Sequence, residues 1–282
     1  MPTISACIVA YCDYEEVCAA VRSILHFTPA PDFTLYIVDN ASPDGCGKQL
    51  ADTDWADPRV QVLCLPENVG FGRGHNAVLG KLHSSVHFIL NPDIVLTGDI
   101  LQPMAEWLLA QPGAAMATPQ LHYPDGRLQH LPRRKPTPWL LLARQLAPKF
   151  GGAFKKADDH YTMQDEDLTA PRRIEFCTGS FMAVRTDVLQ KIGGFDPAYF
   201  MYVEDADLTQ KVLREGTVWL APQFSAVHAW HRAPMRDAGK FKMQLVSMGQ
   251  GASKGSPQRG AFNEYPLTNL LPHATVNTSQ GR

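Results

Sequence analysis

Residues 33–42 read Phe-Thr-Leu-Tyr-Ile-Val-Asp-Asn-Ala-Ser, and residues 86–93 read Val-His-Phe-Ile-Leu-Asn-Pro-Asp. Each is a short run of apolar and β-branched residues that stops on polar ones. Such runs read as buried strands, and each leads to a carboxylate, Asp39 or Asp93. Two further runs of this kind lie at Thr3–Ala10 and Val60–Leu65, the second entering Glu67-Asn68-Val69-Gly70-Phe71-Gly72. Helical patterns fall between them. Asp13 with Glu16 three residues on forms a capping-box start, followed by Val17, Val21, Ile24 and Leu25 on one face. Others lie near 74–83 and 98–111. Alternating strands and helices predict parallel βαβ units and a doubly wound α/β sheet. Ligands of such sheets bind outside the carboxyl ends of the strands, so the polar strand ends are expected on one rim. Carboxylates there suit a sugar, a ribose or a metal.

The second half is less regular. Ile174–Arg185 reads as strand-turn-strand around Thr178-Gly179-Ser180, and Gly193-Gly194-Phe195-Asp196-Pro197 as a turn. A helix is expected over Glu204–Arg214, then a strand at Val218–Leu220 and another at Phe224–Trp230. Between Arg133 and Lys156 there are seven Lys or Arg and no Asp or Glu, interleaved with Trp139, Leu140, Leu141, Leu142, Leu146, Phe150 and Phe154. That stretch reads as a surface excursion with an apolar underside, or as a basic amphipathic element for an anionic membrane surface. The acidic Asp158–Asp167 is expected to be a mobile loop. The last 34 residues, Gly249–Arg282, lose all periodicity and read as a disordered or loosely attached tail.

The chain has 282 residues, 45% of them apolar, and a formal net charge of −2. That length allows one large α/β domain or two small ones. The near-balanced charge argues against a nucleic-acid partner, which would favour a basic domain. No segment approaches the roughly 18 apolar residues of a membrane span. The opening MPTISACIVAY lacks a basic n-region and reads as a first core strand, so the expected compartment is the cytoplasm. None of the six cysteines forms a CxxC pair, which favours free thiols.

Three groups of residues can carry chemistry. Asp93, fixed by Pro92 at a strand end, could begin a site for a hard cation whose other ligands come from a diphosphate. Glu204, Asp205 and Asp207 open a helix behind Tyr199-Phe200-Met201-Tyr202. Helix-dipole compensation accounts for any one of them, but burial beside that apolar wall would raise a carboxylate toward a general base. His228 and His231 end a later strand near Trp230 and Arg232 and could meet a metal or a phosphate. A rival pattern is Gly72-Arg-Gly74-His-Asn-Ala77, which formally satisfies G-x-G-x-x-G/A with Asp93 about twenty residues on. It allows an NAD(P)-dependent oxidoreductase. Six residues, Pro66–Phe71, separate it from the preceding strand, however, whereas a dinucleotide turn starts at the strand end. A third reading is a sugar-nucleotide-binding module without turnover.

In order along the chain, Asp39-Asn40-Ala41-Ser42, Asn68-Val-Gly-Phe-Gly72, Asn91-Pro-Asp93, Cys177-Thr-Gly-Ser-Phe-Met182, Gly194-Phe195-Asp196, Glu204-Asp205-Ala-Asp207 and a downstream His resemble glycosyltransferase family 2. The Asn-Pro-Asp version and the run from Phe195 to Asp205 look most like its rhamnosyltransferase-like branch. The resemblance spans Ile4 to His231. It implies a GT-A fold, with a mixed, mainly parallel sheet flanked by helices, and inverting transfer from a nucleotide-sugar donor. The first-choice donor is dTDP-L-rhamnose, with UDP-sugars next. The acceptor is a carbohydrate, free or on a polyprenyl-diphosphate lipid in surface-polysaccharide assembly, and the protein is either cytoplasmic or in peripheral contact with the cytoplasmic face of the inner membrane. Residues 1–248 would form the catalytic domain, 1–120 its donor half and 121–248 its acceptor half with an insertion at 131–173. The resemblance also implies roles. Asp39 contacts the base or ribose; Asn68, Gly70, Asn76 and Asn91 line the donor pocket. Asp93 is the last acid of a DxD motif whose first position holds Asn91, and it binds Mg²⁺ or Mn²⁺ together with His228 or His231. Asp205 is the base, Glu204 and Asp207 position it, and Thr178, Gly179 and Ser180 floor the acceptor pocket.

Overall fold

The computed structural model describes residues 1–134, 151–201 and 204–229. Among them, ten strands form one sheet. They are β1 (Ile4–Ala10), β2 (Phe33–Asp39), β3 (Val60–Cys64), β4 (Val86–Leu90), β5 (Ile94–Val95), β6 (Ala114–His122), β7 (Leu128–Gln129), β8 (Arg172–Arg173), β9 (Phe181–Arg185) and β10 (Thr217–His228). The order is β3-β2-β1-β4-β9-β6-β10-β5, with β7 beside β6 and β8 beside β10. Strands β1 to β4 are mutually parallel, as the alternating pattern predicts. The chain steps outward from β1 to β3, then returns to place β4 on the other side of β1. That reversal opens a crevice at the carboxyl ends of β1 and β4. Beyond it, β9 runs antiparallel to both β4 and β6, and β10 is parallel to β6.

Helices cover both faces. They are α1 (Tyr14–Phe27), α2 (Cys46–Asp52), α3 (Phe71–Asn76), α4 (Leu101–Ala110), α5 (Gly152–Tyr161), α6 (Thr186–Lys191) and α7 (Glu204–Val212), with a 3₁₀ turn at Leu79–Lys81. Period-2 geometry splits each strand between two cores. Ile4, Ala6 and Ile8 of β1 join Val17, Val21 and Ile24 of α1 and Leu101, Met104 and Leu108 of α4. Cys7 and Val9 face the opposite way, with Leu208 and Val212 of α7. The sheet is therefore the middle of three layers, buried on both faces.

Several expectations need correction. Asp13 stands at the N-cap of α1, but its side chain makes no capping hydrogen bond; its carbonyl accepts from Val17 instead. The helix expected near 74–83 starts earlier, at Phe71, because Gly70 turns the chain at φ +85°. The strands foreseen at 218–220 and 224–230 are one strand, β10, whose register on β6 shifts between Ala221 and Ser225. Of the expected strand-turn-strand over 174–185, only Phe181–Arg185 is a strand. The acidic stretch is organised rather than loose. Asp158 to Tyr161 finish α5, Lys155 pairs with Asp159 at 2.9 Å, and Arg134 pairs with both Asp165 and Glu166. Most of the basic stretch, His231 and the tail 249–282 lie outside the described residues.

Candidate active site

The crevice is built corner by corner from strand ends. At the end of β4, Asn91 donates its backbone N–H to the Ser180 carbonyl at 3.0 Å, so the Asn91-Pro92-Asp93 turn is moored to the entrance of β9. The last residue of β10, His228, arrives opposite. Its Nε2 lies 3.3 Å from Asp93 Oδ1 and 3.4 Å from Asn91 Nδ2. The backbone closes the same corner, because Ala229 N–H donates to the Asp93 carbonyl at 3.1 Å. His228 is 4% exposed, and its Nδ1 meets Gln129 Oε1 at 2.8 Å. Asp93 Oδ1 and His228 Nε2, 3.3 Å apart, are close enough to serve as neighbouring ligands of one cation.

At the end of β2, Asp39 accepts from the Ser42 hydroxyl at 2.5 Å and from the Ser42 N–H at 3.2 Å, an Asx-type turn. Ser42 Oγ accepts in turn from the Cys12 N–H at 2.9 Å, so the ends of β1 and β2 are tied together. Asn40, not singled out from the sequence, links this corner to the next loop. Its Nδ2 donates to Asn68 Oδ1, and its Oδ1 accepts from the Val69 N–H, both at 2.9 Å. Asn68 Oδ1 also accepts from the Gly70 N–H at 3.0 Å.

The glycines of this loop are explained by packing. At φ +85° and ψ 172°, Gly70 occupies backbone space open only to glycine, and a methyl there would overlap the Phe200 carbonyl. A Cβ on Gly72 would stand 2.8 Å from the Phe195 side chain, and one on Gly74 2.8 Å from Val9. Gly72 and Gly74 therefore bring α3 close to the sheet and to Phe195; both lie within α3, and β3 ends at Cys64, so neither makes the strand-end turn that a dinucleotide site uses. Asn76 is also tied to Phe195. Its Nδ2 donates to the Phe195 carbonyl at 2.8 Å and its Oδ1 accepts from the Phe195 N–H at 2.9 Å. Its amide braces the Phe195 backbone against α3.

The acidic helix α7 supplies the opposite wall. Gly179 N–H donates to Asp205 Oδ2 at 3.3 Å, and Ala206 N–H to Asp205 Oδ1 at 2.8 Å. Thr209 Oγ1 donates to the Asp205 carbonyl at 2.7 Å and accepts from the Cys177 N–H at 3.3 Å, pinning the helix to the Cys177–Gly179 segment. The Ser180 hydroxyl reaches Thr178 Oγ1 at 3.3 Å. Thus Thr178–Ser180 connects the Asp93/His228 corner to the Asp205 carboxylate through two backbone hydrogen bonds.

Burial sets the electrostatics of this wall. Glu204 is 7% exposed; burial, reinforced by the adjacent Asp205, pushes its carboxyl up to about 8. Its Oε2 has no hydrogen-bond partner among the described residues. Burial also raises Asp205, against the pull of the Gly179 and Ala206 N–H groups. Asp207, 2% exposed, is pushed up to about 6 by burial, with Lys211 and Arg214 opposing and Asp196 adding to the rise. A carboxyl raised toward neutrality is suited to proton transfer.

Among the described residues, no group of three or more His, Cys, Asp or Glu side chains could hold a metal by itself. Asp93 and His228 offer one oxygen and one nitrogen. That is a fit for Mn²⁺ or Mg²⁺ when a substrate diphosphate and water complete the shell.

Comparison with known proteins follows the same lines. A protein from Mycobacterium tuberculosis (strain CDC 1551 / Oshkosh) named N-acetylglucosaminyl-diphospho-decaprenol L-rhamnosyltransferase is 24% identical over 211 residues, 70% of this chain and 66% of that one. Rhamnosyltransferase WbbL of Escherichia coli (strain K12) is 26% identical over 170 residues, 57% of this chain and 61% of that one. The chain thus matches just under two thirds of the length of these relatives. The crystal structure of GalNAc-T7 with UDP, GalNAc and Mn²⁺ superposes with a TM-score of 0.61 at 14% identity, covering 81% of this chain and 44% of that one. That likeness identifies the α/β architecture as the GT-A fold. Residues 5–193, well over half of the chain, match the model of the family described as glycosyl transferase family 2, and the chain belongs to that family.

Proposed function

We propose that this protein transfers a sugar, L-rhamnose from dTDP-L-rhamnose as first choice, to a hydroxyl of a carbohydrate acceptor with inversion at the anomeric carbon. The acceptor is of the polyprenyl-diphosphate-linked class used in surface-polysaccharide assembly, and the work is done at the cytoplasmic face of the membrane. The observation that carries the reading is the Thr178–Ser180 turn, which joins a diphosphate corner to a carboxylate at hydrogen-bonding range on each side. The names of relatives, a rhamnosyltransferase among them acting on a decaprenol-linked sugar, support the sugar and the lipid. Among the described residues no helix is long and apolar enough to cross a membrane.

The chain's own residues divide the work. Asp39 and the Asn68–Gly70 loop hold the nucleoside, and Asn91 and Asp93 meet the diphosphate. Asp93 and His228 would hold Mg²⁺ or Mn²⁺, whose Lewis acidity offsets charge on the departing diphosphate. Asp205 takes the proton of the acceptor hydroxyl as its oxygen attacks. A bond forms from that oxygen to the anomeric carbon, and the bond from that carbon to the diphosphate oxygen breaks, its electron pair leaving with the nucleoside diphosphate. Glu204, kept protonated by burial, leaves the negative charge of the pair on Asp205. Thr178, Gly179 and Ser180 orient the base and the acceptor, and Asp207 buttresses the helix.

Calorimetric titration with dTDP and UDP, each with and without Mg²⁺ or Mn²⁺, tests this. Metal-dependent binding that disappears in Asp93→Ala is expected. No binding of either nucleotide to the wild-type chain would sink the reading.

A further inference from the structure

Gln129 was not marked by any motif, yet it is buried at 3% exposure beside the diphosphate corner. It lies on β7, which pairs with β6 on the side away from β10; Leu121 of β6 is opposite both Gln129 and Ala226. From there its amide reaches His228 twice. Nε2 of Gln129 lies 2.7 Å from the His228 backbone carbonyl, and Oε1 lies 2.8 Å from His228 Nδ1.

The chemistry of these two contacts leaves one assignment. A carbonyl oxygen can only accept, so the amide NH₂ of Gln129 must face it. The amide oxygen is then the atom against the ring, and it too can only accept. Nδ1 of His228 must therefore carry a hydrogen. The neutral imidazole has one N–H, so the electron pair is on Nε2, the atom that faces Asp93 Oδ1 at 3.3 Å and Asn91 Nδ2 at 3.4 Å. The amide of Asn91 is a donor on that side, which agrees with the same tautomer.

We infer that Gln129 is a positioning residue that fixes the rotation and tautomer of His228, so that Nε2 rather than Nδ1 is presented to the Asp93 corner. The proposal rests on the reading of that corner as the diphosphate and metal site, and it assigns the outer partner that such a histidine needs. A ring held this way loses no rotational freedom when the corner is occupied, and its free-standing alternative, with the hydrogen on Nε2, would point a donor at a cation. Outer partners of this kind typically change metal affinity by about 10- to 100-fold when removed.

The test is long-range ¹H–¹⁵N correlation on histidine-labelled protein, at a pH above the ordinary histidine range, with His228 assigned through His228→Asn. The wild-type ring should show hydrogen on Nδ1. Gln129→Leu, which removes both contacts, should shift His228 toward the Nε2–H form and weaken Mn²⁺ binding in the presence of nucleoside diphosphate by about 10- to 100-fold. Gln129→Glu can still accept from Nδ1 but cannot donate to the carbonyl. It should keep the tautomer while losing stability, and should recover most of the metal affinity. A strictly structural strut predicts equal stability losses in both variants with the tautomer unchanged. That result, or hydrogen on Nε2 in the wild-type chain, overturns the proposal. The spectrum is read without metal, so a chain that binds no Mn²⁺ at all would refute the metal reading of the corner and still leave the role of Gln129 decided by the tautomer.

Discussion

Asp205 and Glu204 are neighbours in sequence with opposite electrostatic duties, and single atoms separate them. Asp205 accepts two backbone N–H groups, which favour its charged form, whereas Glu204 Oε2 has no partner among the described residues and burial keeps its proton on. Asp205→Asn preserves shape and removes the proposed base. It should cut transfer by about 10² to 10⁴, the usual worth of general-base catalysis, with nucleotide affinity unchanged by calorimetry. Loss of affinity of similar size would instead make Asp205 a binding residue. Glu204 carries a stability prediction. Its folded-state value, about 8, lies above the ordinary 4.5. Between those values the folded chain holds a proton that the unfolded chain has released, so stability falls as pH rises through that window. Glu204→Gln should flatten this slope and make the protein more stable than wild type above about pH 8. Denaturant unfolding on both sides of that pH measures it. A slope unchanged in the variant would place the titration elsewhere.

At the scale of elements, the loop Asn68–Gly72 and the approach to α7 form one unit. Phe71 N–H donates to the Phe200 carbonyl at 3.2 Å, Asn76 clasps the Phe195 backbone, and Lys211 Nζ donates to the Gly194 carbonyl at 2.6 Å. The Asn68–Gly72 loop and the wall formed by α7 are thereby joined. Gly70→Ala meets both a glycine-only backbone and the Phe200 carbonyl, so it should cost more than the roughly 1–3 kcal/mol of such strain alone and should weaken nucleotide binding. Gly80→Ala, with open space at its Cβ, is the control and should unfold like wild type. Equal stability of the two variants would show that the loop relaxes freely. These couplings also show what a sequence can reveal. The runs at 4–10, 33–39 and 86–90 were legible because burial on both faces writes an unbroken apolar signature, and Asp39 and Asp93 because they terminate such runs. The bridging role of Asn40, the part of Gln129 and the packing role of Gly72 and Gly74 were not, because each is defined by a partner between 28 and 123 residues away. Antiparallel β9 was hidden for the same reason: a five-residue strand reads alike in either direction.

Over the whole molecule, charge is nearly balanced, yet the segment from Arg133 to Lys156 gathers seven Lys or Arg and no acid. Its first residues are anchored: Arg133 bridges to Phe176, and Arg134 is held by Asp165 and Glu166. Phe176 is followed by Cys177 and the Thr178–Ser180 turn, so the segment is rooted beside the turn proposed to floor the acceptor pocket. A basic segment rooted there would meet the anionic leaflet in which a polyprenyl acceptor resides, each cation near the surface contributing about 1 kcal/mol. Arg133 and Arg134 are engaged in the fold, and Lys155 and Lys156 belong to α5, where Lys155 pairs with Asp159; Lys135, Arg144 and Lys149 are the residues to change. Changing all three to Gln should remove about 3 kcal/mol, a loss of roughly a hundredfold in partitioning. Flotation with phosphatidylglycerol vesicles measures it. Wild type should float at low salt and sink as salt rises, since surface attraction is screened within about 10 Å at 0.1 M. The triple variant should remain at the bottom while its nucleotide titration stays as in wild type, because the donor corner is built from other strands. Flotation equal in both, or absent from the wild-type chain, would detach the basic segment from membrane binding and leave the acceptor to be met in solution.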